Sequence, residues 1–348
     1  MATPTVPKDE SQTEPGNLPD PPPPPEWAPP LAADGGVAVE SPVLVRLPEL
    51  RASDLRSPPR RRRLLPLVLF LATCASTFWV GTTNWMPIVP ISSLGYAYLV
   101  VTANWVQGLT YMCAVLAILL THEMGHFLFT VRYHIPASYP LFIPVPINPI
   151  GTMGAVIGMD GLKANRRQLF DLGLAGPLAG LIVAIPVMYM GVQRLELSGQ
   201  PTGDIAFHNP LLVKLMIAHL RPDLSPETTV GIGQLNPYYI AGWVGLLITG
   251  LNMLPISQLD GGHVIYALFG KRAHTIARGF LVVAIVFIVV HINRAHIWTM
   301  MLILVILMGT DHPPTSDDTV RLGPLRWLLG IASLAVPILC FPLWGIDT

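Results

Sequence analysis

The chain has 348 residues, of which 51% are apolar and only 12% charged, and its mean hydropathy is +0.53. A soluble globular chain carries roughly 25% charged residues, so most of this one is expected to sit in lipid. The formal net charge of zero provides no electrostatic basis for holding nucleic acid, and no nucleic-acid partner is expected. Residues 1–60 differ from the rest: Pro21 to Pro25 stand in a row, acids such as Glu10, Glu14 and Asp20 are scattered, and no helical periodicity is present. Such a segment buries too little apolar surface to offset its ordering entropy. It is expected to be a disordered tail, with the proline run in an extended polyproline conformation. No apolar core follows Met1, which argues against a secretory signal peptide, and the acids argue against an organelle transit peptide.

Arg60 to Arg63 then abut the apolar run Leu64 to Val80. A run of this length just spans the hydrocarbon, and clustered arginines mark its cytoplasmic end, so the tail is expected in the cytoplasm. Further apolar segments lie near 106–130, 169–192, 238–257, 274–291, 296–310 and 325–345. The expected fold is an all-α polytopic transmembrane bundle of about six to eight spans, forming residues 61–348, with a catalytic core near 106–270. Seven spans leave Arg60 to Arg63, Arg132, Lys163, Arg166, Arg167, Lys271, Arg272, Arg278, Arg321 and Arg326 on the cytoplasmic side. Arg194, Lys214, Arg221 and Arg294 face the other. That bias fits the positive-inside rule.

Residues 138–161 do not read as a span, because Pro140, Pro144, Pro146 and Pro149 would break a helix repeatedly. A re-entrant hairpin or extended loop is expected, tolerated at membrane depth only where protein or water surrounds it. It would line the active-site cavity, offer an edge to an extended substrate, or serve only as a structural plug. Residues 193–236 read as a polar connection too short for a sizeable accessory domain. Cys74, Cys113 and Cys340 are isolated in apolar runs, so they are expected to be small buried hydrophobes rather than a disulfide or zinc framework.

The chemistry starts at His122-Glu123-Met124-Gly125-His126, directly after the apolar stretch Tyr111 to Leu120. Two histidines four residues apart lie on one helix face, so both imidazoles reach one tetrahedral metal while the adjacent glutamate acts as general base. Ionisable residues at membrane depth are costly and are functional suspects by default. Zinc hydrolases use three protein ligands and keep the fourth position for water. The segment Leu259-Asp260-Gly261-Gly262-His263 offers Asp260 or His263 as the third. Asn252 is a candidate donor to the oxyanion of the hydrolytic intermediate, or forms an interhelical hydrogen bond. Gly173, Gly176 and Gly180 place small residues where the third span packs against the metal-bearing helix. Asp171 is expected near a helix start, where the dipole favours it. The histidines His134, His208, His219, His274, His291, His296 and His312 are expected to be solvated or interfacial.

Together these elements resemble the site-2 protease family of intramembrane zinc metalloproteases. The resemblance covers roughly residues 106–270 and rests on His122-Glu-Met-Gly-His126, Gly176-Pro-Leu-Ala-Gly180, and Asn252-Met-Leu-Pro-Ile-Ser-Gln-Leu-Asp260-Gly-Gly. It implies that His122, His126 and Asp260 bind Zn2+, that Glu123 activates water, and that Asn252 lies beside the intermediate. Arg166 to Pro177 and the extra C-terminal spans look most like the branch shared by bacteria and chloroplasts. Members cut transmembrane segments of other membrane proteins, often after a first cut by another protease. This chain shows no inserted peptide-binding domain, which puts a two-step cascade of that kind in doubt. The acidic tail favours a bacterial plasma membrane over a plastid. The alternative is a transporter or metal permease, in which intramembrane His and Asp line an ion path and Glu123 has no special role. That alternative predicts metal flux little affected by Glu123→Gln, whereas a protease so changed should retain zinc and lose turnover.

Overall fold

The computed structural model describes residues 64–88, 94–159, 163–197, 205–256 and 258–347. The expected Pro-rich tail and the Arg60 to Arg63 cluster lie outside them. The helices, in chain order, are α1 (Leu64–Thr82), α2 (Leu94–Arg132), α3 (Arg166–Gln193), α4 (Leu211–Leu220), α5 (Pro237–Asn252), α6 (Asp260–Phe269), α7 (Arg272–Val290), α8 (Ile292–Ala295), α9 (Thr299–Met308), α10 (Pro324–Ser333) and α11 (Val336–Cys340). The strands are β1 (Leu141–Pro144), β2 (Thr152–Val156), β3 (Ala206–Phe207), β4 (Val230–Gly231) and β5 (Ile346–Asp347). The all-α expectation is therefore corrected at two small sheets, a β1–β2 hairpin and a three-stranded β4–β3–β5 sheet.

Among the described residues four helices are long and apolar enough to cross a membrane: α1, α2, α3 and α7. The six to eight spans expected from hydropathy are not all single helices. α5 has 16 residues, about 24 Å at the helical rise, and the chain then breaks around Pro255 before α6 continues for 10 residues. The 296–310 segment is divided between a short 3-10 turn and α9, and the 325–345 segment breaks between α10 and α11. Hydropathy registers apolar length but not these interruptions, whose freed backbone groups are satisfied inside the protein.

The core forms where α2, α3 and α5 meet. One stripe of α2 is buried through Gly108, Tyr111, Val115, Ile118, His122 and His126, at the i, i+3/i+4 spacing of a single helix face. The metal-type motif thus continues the packing stripe. The opposite surfaces carry exposed Leu67, Val68 and Leu71 on α1 and Val282, Val286 and Val289 on α7, as helices facing lipid should. α3 begins at a capping box in which the Asn165 side chain accepts from Gln168 N and Gln168 Oε1 accepts from Asn165 N. α5 begins at Asn236, whose side chain accepts from Tyr239 N, with Pro237 in the first turn.

Two groups of loops gather apart from each other. Arg166 N donates to Asp317 O, and the Arg166 guanidinium donates to the carbonyls of Ala267 and Leu268 at the end of α6. Elsewhere His208 N donates to Gly345 O, Trp298 Nε1 to Leu343 O and Trp243 Nε1 to His208 O, while β3 pairs with both β4 and β5. The described residues 205–236 of the expected connection thus belong to the second group.

The proline-rich segment is non-helical over its described residues 138–159, as its sequence requires. β1 and β2 pair antiparallel, Leu141 with Val156 and Phe142 with Ala155, and the register shifts before Pro144 meets Thr152. Pro144 has no N–H to give a ladder, and Thr152 Oγ1 donates to Ile143 O at this irregularity. The hairpin tip packs on α1 and α2: Ser76 Oγ donates to Gly151 O at 2.5 Å and Tyr111 Oη to Ile150 O at 2.7 Å. Tyr111 lies about 30 Å back along α2 from Arg132, so the hairpin doubles back along the helix it follows. Tyr111→Phe removes that tie. Hydrogen–deuterium exchange should then accelerate at 145–151, with a stability loss of about 1 kcal/mol; unchanged exchange there would show that Tyr111 does not hold the tip.

Candidate metal centre

His122 and His126 face inward from α2, and Asp260 is the first residue of α6; all three are buried. His122 Nε2 and His126 Nε2 are 3.3 Å apart. Asp260 Oδ2 lies 3.4 Å from His122 Nε2 and 3.3 Å from His126 Nε2. Donors at the corners of a tetrahedron with zinc bonds of about 2.0–2.1 Å stand about 3.3–3.4 Å apart. The triangle therefore has the edge lengths that a zinc ion requires, and is wider than an ordinary N–H···O hydrogen bond. Among the described residues this is the one cluster of three His, Cys, Asp or Glu side chains whose donor atoms all lie within 4.8 Å of one another.

The donor chemistry fits a cation as well as the spacing does. His126 Nδ1 lies 2.9 Å from the Leu172 carbonyl. A carbonyl only accepts, so Nδ1 carries the proton, and a neutral His126 offers the lone pair of Nε2 to the centre. Asp260 Oδ2 is buried and has no hydrogen-bond partner. An orphaned buried carboxylate oxygen is costly, and a divalent ion at the centre of the triangle would satisfy it. The position of Asp260 at the start of α6 also sets its charge against the positive end of the helix dipole.

Small residues on α3 make the site possible. A Cβ added at Gly176 would overlap His126 Nε2, and one added at Gly180 would lie 3.1 Å from His122 Nδ1. α3 therefore passes directly over both imidazoles, in line with the packing expected from its glycines. Glu123 is buried beside the pair. Asn252, the last residue of α5, brings its amide nitrogen to 3.2 Å from His122 Nε2.

His263, the rival third ligand, is turned elsewhere. Its Nδ1 lies 2.7 Å from Nε2 of His312, whose Nδ1 donates to Pro313 O. His312 is buried, stacks on Tyr266 with ring centroids 4.5 Å apart, and is held below the ordinary histidine pKa by desolvation. It is buried within the protein instead of being solvated, the expectation from sequence. Asp171 is not simply a dipole-favoured acid either: Arg326 pairs with both its oxygens and Tyr133 Oη donates to Oδ2. Cys113 is exposed and Cys74 partly so, leaving only Cys340 as a buried hydrophobe. Sequence reading could not find the Leu172 carbonyl, which as a backbone atom has no residue signature.

A model of peptidase family M50 matches residues 110–292. The chain belongs to peptidase family M50. It is similar to the probable zinc metalloprotease EGY1, chloroplastic, of Arabidopsis thaliana, with 30% identity over 304 residues, covering 81% of this chain and 53% of the relative. EGY1 of Oryza sativa subsp. japonica is 38% identical over 168 residues, covering 46% of this chain and 28% of the relative. The probable zinc metalloprotease EGY2, chloroplastic, of Arabidopsis thaliana is 30% identical over 205 residues, covering 58% and 36%. The chain thus spans about half or less of the length of these relatives. The resemblance to zinc-dependent site-2 proteases holds, and the apolar helices mark an integral membrane protein. These relatives are named as chloroplastic, and nothing in the comparison supports the bacterial plasma membrane expected from the tail.

Because a side chain at Gly176 would strike His126, Gly176→Ala should lower zinc occupancy by at least tenfold at limiting metal. Gly279→Ala on α7, where an added Cβ meets nothing within 4 Å, should leave occupancy unchanged. Equal occupancy in both variants, by elemental analysis, would count against this packing account.

Proposed function

We propose that this M50 member is an intramembrane zinc endopeptidase that hydrolyses peptide bonds within or near transmembrane segments of other membrane proteins. In this reading His122, His126 and Asp260 hold the zinc. The observation that carries it is the buried triangle of donors 3.3–3.4 Å apart, with one carboxylate oxygen otherwise unsatisfied. A zinc ion there supplies Lewis acidity and lowers the pKa of a bound water toward about 7. Glu123, next in sequence to His122, takes the proton from the attacking water and delivers it to the leaving amine. The Asn252 amide, already beside the imidazoles, donates to the oxygen that gains charge as water adds to the scissile carbonyl. The Leu172 carbonyl keeps His126 in the ligating tautomer.

The two loop groups support the expected orientation. Arg166, the end of α6 and Asp317 meet at one end, and Arg194, Trp298 and Gly345 belong to loops at the other. The first group holds cations assigned to the cytoplasm, and the second holds those assigned to the opposite side. α5 and α6 then form one crossing, interrupted where Asn252 and Asp260 are needed, and the β1–β2 hairpin re-enters beside α1 and α2. Cutting near the cytoplasmic side follows, because His122 and His126 lie in the last third of α2.

A helical substrate hides its amides in internal hydrogen bonds, so it must unwind before its carbonyl reaches the centre. Purified protein should cut a test helix carrying a central Asn-Pro or Gly pair faster than an uninterrupted apolar helix, and equal rates would overturn this requirement. Wild-type protein should carry about one zinc and Asp260→Ala much less. Glu123→Gln should keep the metal while turnover falls by about a hundredfold or more. Full peptide turnover without Glu123 would remove it as the base, whereas metal flux that survives Glu123→Gln, with no cleavage by wild type, would sink the hydrolytic assignment in favour of a metal permease.

A further inference from the structure

Resting on the zinc assignment, we propose that Arg326, on the C-terminal helix α10, is a positioning residue for the metal centre, acting through Asp171 and the Leu172 carbonyl on His126. Arg326 lies 200 positions along the chain from His126, and the family model ends at residue 292, before α10 begins.

The chain of contacts is continuous. Arg326 Nε donates to Asp171 Oδ1 at 2.8 Å, and a terminal guanidinium nitrogen donates to Oδ2 at 2.9 Å. This is the two-point fork that fixes a carboxylate in direction as well as distance. Tyr133 Oη donates to Asp171 Oδ2 at 2.5 Å. Tyr133 follows His126 by seven residues, two turns along the same face of the α2 helix and its end. Asp171 is thus tied to α10 and to the end of α2 at once. The next residue, Leu172, gives its carbonyl to His126 Nδ1. A shift of α3 against α2 at this level would move the acceptor that selects the tautomer and rotation of a ligating imidazole.

α10 is seated to impose this register. Gly330, one turn after Arg326, lies against Phe170 of α3 and Leu268 of α6: a Cβ added there would stand 2.8 Å from the Phe170 ring and 2.9 Å from Leu268. α10 therefore touches both the helix that orients His126 and the helix that carries Asp260. The Asp171 side chain is 11% exposed and that of Arg326 34%. The pair is screened enough to hold geometry yet borders solvent, and losing the arginine leaves a largely buried carboxylate with one tyrosine hydroxyl.

The test compares apparent zinc affinity, by chelator competition in detergent, for wild type, Arg326→Ala, Arg326→Lys, Tyr133→Phe and Arg278→Ala. Arg278 pairs with exposed Asp311 and serves as the control. Arg326→Ala should weaken zinc by about tenfold or more. Arg326→Lys keeps the charge but not the fork and should recover only part of the affinity; Tyr133→Phe should weaken zinc less than Arg326→Ala. Cobalt-substituted Arg326→Ala should show a shifted visible spectrum, as a reoriented imidazole changes the ligand field. Wild type without zinc would defeat the function proposed above. Wild type with zinc and an Arg326→Ala of unchanged affinity and spectrum would defeat this inference alone. An equal loss in Arg278→Ala would also overturn it, by showing a general effect on the fold. If Arg326→Ala does not fold, Arg326→Lys and Tyr133→Phe decide: wild-type affinity in both overturns the inference.

Discussion

A carboxylate oxygen with no hydrogen-bond partner, buried among two imidazole nitrogens, is the constraint around which this molecule is arranged. In a low-dielectric interior such an oxygen is tolerated only when a cation or donor completes it. Holding it 3.3–3.4 Å from two lone-pair nitrogens requires helices from distant parts of the chain to meet within tenths of an ångström. The glycines of α3 permit that approach by removing the side chains that would otherwise occupy it. The break between α5 and α6 places Asp260 at a helix start, where peptide dipoles favour its charge.

Around the centre the polar groups form a graded shell. Leu172 fixes one imidazole, Asn252 stands beside the other, and Asp171 is fixed in turn by Tyr133 and Arg326. A separate cluster of His263, His312 and Tyr266 draws the loop after α9 onto α6, with Asp318 accepting from Tyr266 Oη. The second cluster engages His263 outside the triangle, so the two neighbouring polar systems stay chemically distinct. The β1–β2 hairpin lies on another side, fastened to α1 and α2 through backbone carbonyls at its tip.

The C-terminal helices have a role that hydropathy alone would not suggest. Segments 296–310 and 325–345 are apolar enough to resemble ordinary spans, yet their helices are short and interrupted. α10 instead packs across α3 and α6 through Gly330, and its arginine closes the ion pair with Asp171. Apolar composition brings such a segment to the bundle, and its polar contact sets where it docks.

The sequence by itself determined the lipid-soluble character of the chain, the helix carrying His122, Glu123 and His126, the non-helical nature of the described residues 138–159, and the small-residue surface of α3. Each follows from local rules: residue composition, the 3.6-residue period, the missing N–H of proline and the missing Cβ of glycine. Only the tertiary structure decided that Asp260 rather than His263 stands beside the two imidazoles. Both residues lie on the same short helix, and His263 is engaged instead by His312, 49 positions away. Span lengths, the Leu172 acceptor and the Arg326–Asp171 pair were likewise beyond local reading. They arise from backbone breaks and from contacts between segments remote in sequence, whose energies depend on packing that no single window of residues contains.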